Sequence, residues 1–127
     1  MSRKKLIKKL DRIVSETVKL RDECCVICGS KKQLGAGHVF SRNHYSTRWD
    51  LANVFCQCWS CNFRHRVKDP MPYYNWYIEK FGWKKMQKLY KRWKETKPIK
   101  TYDLEKLHKK LKSTNYKFKN PNGKKNN

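Results

Sequence analysis

All six cysteines fall between residues 24 and 61, as Cys24, Cys25, Cys28, Cys56, Cys58 and Cys61. Cys25-x-x-Cys28 and Cys58-x-x-Cys61 form two pairs separated by 29 residues. Each pair brings two thiolates together, and four sulfurs satisfy tetrahedral zinc at about 2.3 Å each. Two other sets are open, with Cys24 in place of Cys25 or Cys56 in place of Cys58. The x-x spacing and the trailing Gly29, able to take the left-handed turn such knuckles use, favour the first set. Cys24 and Cys56 are then ordinary buried thiols. A disulfide-bonded secreted scaffold is the competing reading, and the absence of a signal-peptide-like apolar run counts against it. A closed Cys₄ site has no open position for water, so its Zn²⁺ is expected to hold the fold and not to do the chemistry.

Groups that could do chemistry lie in or beside the same segment: His38, Asn53 and Asn62. Imidazole titrates near neutrality and can take a proton from water. A hard cation such as Mg²⁺ prefers oxygen ligands and keeps several waters. Blander roles compete for each residue. His38 also suits a phosphate contact or a turn, and Asn62 a helix cap. His44 and His65 suit ligands, phosphate contacts or plain surface. Arg42, Arg48, Arg64 and Arg66 usually form a solvated basic face, but beside a polyanion they become phosphate clamps.

The elements that must position these groups follow from periodicity. Leu6, Ile7, Leu10, Ile13, Val14, Thr17 and Val18 recur at helical spacing and predict a basic amphipathic helix over residues 4–21, its stripe packed on the domain. Gly35 to Phe40 opens one strand. Asn53 to Cys58 alternates as a second. Cys61-Asn62 starts a helix, with Asn62 near its N-terminus. After the break at Asp69-Pro70-Met71-Pro72, Tyr73 to Phe81 reads as a helix ended by Gly82, and Trp83 to Lys94 as another, with Trp83, Met86, Leu89, Tyr90 and Trp93 on one stripe. A short helix over about 102–112 has Thr101 as N-cap and Leu104, Leu107 and Leu111 as its apolar face. Residues 117–127 hold four lysines and no acid. The expected organisation is therefore a basic helix over 1–23, a zinc-stapled core over 24–69, helices packed on it over 70–113 and a disordered basic tail over 114–127.

Thirty-two Lys and Arg face ten Asp and Glu, a formal charge of +22 in 127 residues. Such an excess repels itself in a compact fold and points to a polyanion, nucleic acid first. No stretch has the length or apolarity to span a bilayer. No signal-peptide-like segment is evident, so the expected location is the cytoplasm. A 38% apolar content, much of it aromatic, makes a thin core that needs a staple.

Taken together, Cys25-x-x-Cys28-Gly29, Ala-Gly-His38, Ser41-Arg42, Ser46-Thr47-Arg48-Trp49, Asn53 and Gln57-Cys58-x-x-Cys61-Asn62 resemble the phage recombination nucleases called Rap or NinG, within the wider HNH group. The resemblance covers about residues 20–90, since Tyr73 to Leu89 also looks like the helical segment that follows the site in that family. It implies an α+β fold, a small zinc-stapled ββα-metal (HNH-like) core flanked by helices at both ends. It also implies metal-dependent cleavage of branched DNA such as D-loops and Holliday junctions. By that likeness His38 is the general base, Asn53 ties the β-loop and helps hold the base, and Asn62 ligates a catalytic Mg²⁺ or Mn²⁺, with His65 as a further candidate ligand. Arg42 and Arg48 match arginines that would grip the backbone, and His44, Arg64 and Arg66 are candidate DNA contacts beside them. Several relatives carry an acid three residues before the histidine. That position is Gly35 here, so one ligand is missing or comes from elsewhere.

Three functions compete. The first is a structure-selective DNA endonuclease, acting as a homodimer if it cuts junctions symmetrically, alongside host or phage recombination proteins. The second is a zinc-stapled nucleic-acid-binding protein with no catalysis. The third is a regulator that stacks single strands on its aromatic side chains. Against the third, Tyr73, Tyr74, Trp76, Tyr77, Phe81 and Trp83 sit at spacings typical of a core.

Overall fold

A computed structural model describes residues 1–95 and 97–122. It is α+β and mostly helical, with one two-stranded sheet. Helix α1 spans Arg3–Asp22 and strand β1 Leu34–His38. A short helix α2 covers Tyr45–Arg48, and strand β2 follows over Val54–Cys58. Helix α3 (Trp59–Phe63) runs into a π-helical turn over Arg64–Lys68. Helices α4 (Met71–Phe81), α5 (Trp83–Lys94) and α6 (Thr101–Lys119) complete the chain.

The Ser2 hydroxyl caps α1 by accepting from the Lys5 N–H at 3.2 Å, and Glu23 ends it in the left-handed region at φ 66°. Leu6, Leu10, Val14 and Val18, four residues apart, form the buried stripe. This stripe meets Trp49, Val54 and the α6 residues Leu104 and Leu111 in one core cluster. A second cluster joins Val39, Phe40 and Phe55 to Tyr73, Tyr77, Met86 and Leu89 from α4 and α5. The sheet separates the two. Every residue of β2 is buried. Its side chains alternate between two cores, with Val54 facing α1 and Phe55 facing α4, and not between core and water.

The strands pair antiparallel, with His38 opposite Val54, Ala36 opposite Cys56 and Leu34 opposite Cys58. Directly opposed residues share a face, so His38 lies on the α1 side. A Cβ at Gly37, opposite Phe55, would come within 1.9 Å of Gln57 Oε1, so the buried Gln57 side chain would have to shift to admit one. The Tyr73 hydroxyl donates to the Gly37 carbonyl at 2.7 Å and ties α4 to β1. Arg21 binds Asp22 in bidentate fashion and donates to the carbonyls of Leu51 and Val54, while Asp22 accepts from the Cys56 N–H. The end of α1 is thereby fastened to β2.

Several expectations are corrected. The first strand ends at His38 and does not run to Phe40. Helix α3 begins at Trp59, so Asn62 lies inside it and caps nothing. On α5, Met86 and Leu89 are buried but Trp83 is 58% exposed. The last helix starts at Thr101, with the Asp103 carboxylate accepting from the Lys100 N–H, and it continues to Lys119 through residues expected in the disordered tail. The cause is packing that composition does not reveal. Asn115 is buried and donates to Thr17 Oγ1 at 2.9 Å, which holds this stretch on α1. The last residues of the expected tail, 123–127, lie outside the described residues. Among the described residues, no helix is long and apolar enough to cross a membrane.

Candidate active site and metal centre

The sulfurs of Cys25, Cys28, Cys58 and Cys61 lie within 4.8 Å of one another, and Cys28 Sγ is 3.7 Å from Cys58 Sγ. A tetrahedron with metal–sulfur bonds of about 2.3 Å has edges of about 3.8 Å, so the cluster has the dimensions of a four-thiolate zinc site. Gly29 takes φ +77°, and its N–H donates to the Cys25 carbonyl, closing the first knuckle. In the second, Cys58 Sγ accepts from the Cys61 N–H at 3.5 Å as α3 begins. Arg64 donates to Cys61 Sγ at 3.8 Å. It therefore serves the thiolate cluster and does not line the cleft described below. Cys56 is fully buried, as expected for a spare thiol, whereas Cys24 is only half-buried.

On the α1 face of the sheet opens a cleft of about 720 Å³. Its walls include His38, Asn62, His65, Arg42, Arg48, Arg66 and Asp11. Two separate chain regions, residues 38–48 and 62–66, thus bring together the proposed base, the two proposed cation ligands and three of the proposed phosphate contacts. His38 Nε2 lies 2.8 Å from the Arg48 carbonyl. A carbonyl oxygen only accepts, so Nε2 carries the proton, and the neutral ring keeps its lone pair on Nδ1. His65 is held the same way, Nε2 donating to the Val39 carbonyl at 2.9 Å. Its Nδ1 is buried and bonded to nothing among the described residues. Burial pushes both imidazoles below their ordinary pKa, against the opposing pull of the carbonyls they bond. Both therefore stay neutral as pH falls past the point where a free histidine charges.

Asn53 does not line this cleft. It is fully buried in the connection between the strands. Its Oδ1 accepts from the Phe40 N–H at 2.9 Å, and its Nδ2 donates to the carbonyls of Phe40 and Thr47 at 3.0 and 3.1 Å. Its role is positional, since it clasps the loop whose next residue, Arg48, supplies the carbonyl that orients His38. Asp11, missed in the sequence, holds the other side of that residue. Its carboxylate accepts from Arg48 Nε and Nη2 at 2.9 and 2.6 Å, from Trp49 Nε1 at 2.8 Å and from Arg42 at 3.3 Å. Although burial opposes it, these donors hold the Asp11 carboxyl below its usual range. The one trace of Asp11 in the sequence is that it is the only acid among residues 1–15.

His44 is also placed differently from its expected role. Its ring stacks on Trp93 at 3.9 Å, and Nδ1 meets the Trp93 carbonyl at 2.6 Å, so it joins α2 to α5 and is not part of the cleft. The aromatic residues of α4 mostly pack in the core, as their spacing predicts.

Asn62 and His65 both line the cleft, and among the described residues the four-cysteine cluster is the one group of His, Cys, Asp or Glu that could hold a metal ion. A family model described as Bacteriophage Lambda NinG protein matches residues 1–121. No curated protein and no solved structure matches the chain.

Proposed function

Because the chain belongs to the bacteriophage lambda NinG family, we propose that it is a metal-dependent endonuclease that cuts branched DNA, with zinc in the four-cysteine cluster. The observation that carries this reading is the cleft, where His38, whose Nδ1 has no hydrogen-bond partner among the described residues, shares one wall system with Asn62, His65 and three arginines. An antiparallel strand pair followed directly by the helix bearing Asn62 also supports an HNH-like ββα-metal core.

In this mechanism Arg42, Arg48 and Arg66 draw the DNA backbone into the cleft. His38 Nδ1 takes a proton from water as the water oxygen bonds to phosphorus, and the bond from phosphorus to the 3′-oxygen breaks. Arg48 supports this through its carbonyl, which keeps the proton on Nε2 and the acceptor on Nδ1. Asn62 and His65 would hold the Mg²⁺ or Mn²⁺, which supplies charge neutralisation at the phosphate and the leaving oxygen. A four-way junction offers two strands to cut, so two copies would act together.

One observation favours a second reading, a zinc-stapled nucleic-acid binder without catalysis. Among the described residues Asp11 is the only carboxylate lining the cleft, and it is committed to Arg42, Arg48 and Trp49. The readings separate when purified protein meets linear duplex, single-stranded, D-loop and four-way-junction DNA with Mg²⁺, with Mn²⁺ or with chelator. The nuclease reading expects cation-dependent nicking, greatest on branched forms. Tight binding with no cleavage on any form would leave the second reading.

A further inference from the structure

Trp59 opens α3 and leaves 60% of its surface exposed. Its indole stacks on Phe63 one turn later, with ring centroids 5.1 Å apart and planes 11° from parallel. Lys68 Nζ lies 5.8 Å from the Phe63 ring. Core packing does not account for the indole, which belongs to none of the apolar clusters. The stack shares one helical run with Asn62 and Arg66, both on the cleft. That run, residues 59–68, contains no acid, and besides Arg64, which serves the thiolate cluster, its cations are Arg66 and Lys68.

We propose that the Trp59–Phe63 stack is a platform for an unpaired nucleobase of DNA whose backbone occupies the cleft. The inference rests on the DNA-binding part of the proposed function and not on catalysis. A paired base inside a duplex has both faces covered by its neighbours. An unpaired base at a branch or bulge has a face to offer, and an exposed indole is the strongest aromatic partner for it. Reach agrees. Trp59 is about 4.5 Å along the helix axis from Asn62 at 1.5 Å per residue, on the scale of one nucleotide step of roughly 3.4 Å. The neighbouring cations meet the phosphates on either side. This platform gives branch selectivity a physical source on the same helix that carries a cleft residue.

The test compares dissociation constants for a duplex and for the same duplex with one unpaired nucleotide, using the full chain, Trp59→Ala and Trp59→Leu, with zinc content and circular dichroism reporting the fold. The natural chain is expected to prefer the unpaired form. Both variants are expected to lose roughly 5- to 150-fold on that form, the range for one base–aromatic stack, while binding of the paired duplex stays the same. No preference in the natural chain, no loss in the Leu variant, or an equal loss on both DNAs would overturn the proposal. Cleavage without this preference would sink the platform and spare the nuclease reading, whereas preference without cleavage would do the reverse.

Discussion

At the scale of single residues, His38 is the centre and its surroundings decide its state. Only the neutral ring can accept a proton, and burial holds its pKa below the ordinary value. The cleavage rate should therefore rise with pH through an apparent pKa below about 6.5 and level off above it. A pH–rate profile under single-turnover conditions checks this, and a rate that falls between pH 6 and 8 would speak against a neutral base. Asn53→Ala should cost about 3 kcal/mol or more in urea unfolding, because it strands the Phe40 N–H and two carbonyls in a buried place. The candidate residues His38, Asn53 and Asn62 were legible because they sit at motif spacing beside the cysteine pairs. Asp11 was not. Its partners Arg48 and Trp49 lie 37 and 38 residues away, and an ion pair made across folded elements leaves no local pattern. The buried orphan Nδ1 of His65 was likewise invisible before the chain was folded.

At the scale of elements, the two cysteine pairs bind the end of β2 and the start of α3 to the loop after α1. Binding energy from such a site is folding energy. Cys58→Ser, or a strong chelator, should open residues 24–69 to protease and lower the far-UV signal, and an unchanged digest would remove the zinc assignment. Gly37→Ala is expected to destabilise by about 1–3 kcal/mol, since a Cβ there overlaps the buried Gln57 side chain. Measured stability within 0.5 kcal/mol, roughly the spread of neutral surface changes, would show that Gln57 moves aside freely. Helix types and most boundaries could be read from periodicity, because stripes such as Leu6, Leu10, Val14 and Val18 are a direct record of burial. Strand ends could not. The short helix Tyr45–Arg48 carries no stripe of its own and exists inside the loop that Asn53 clasps.

At the scale of the whole molecule, α1 and α6 close the structure over one face of the sheet. The lysine content of the end of α6 suggests solvent, while a buried Asn115–Thr17 bond beside Leu111 holds it on α1. The net charge of +22 sets the expected response to salt. If about 5–8 phosphates are neutralised, log affinity should fall against log salt with a slope of roughly −4 to −7, and a flat plot would exclude a polyanion partner. The central claim is that this folded cleft hydrolyses DNA through His38. Its most direct test is the single-turnover cleavage rate of a four-way junction, with saturating protein and Mn²⁺, for the natural chain and for His38→Ala. A fall of about 10²- to 10⁴-fold is expected, with junction affinity and zinc content unchanged. Cleavage by His38→Ala at the natural rate would contradict it.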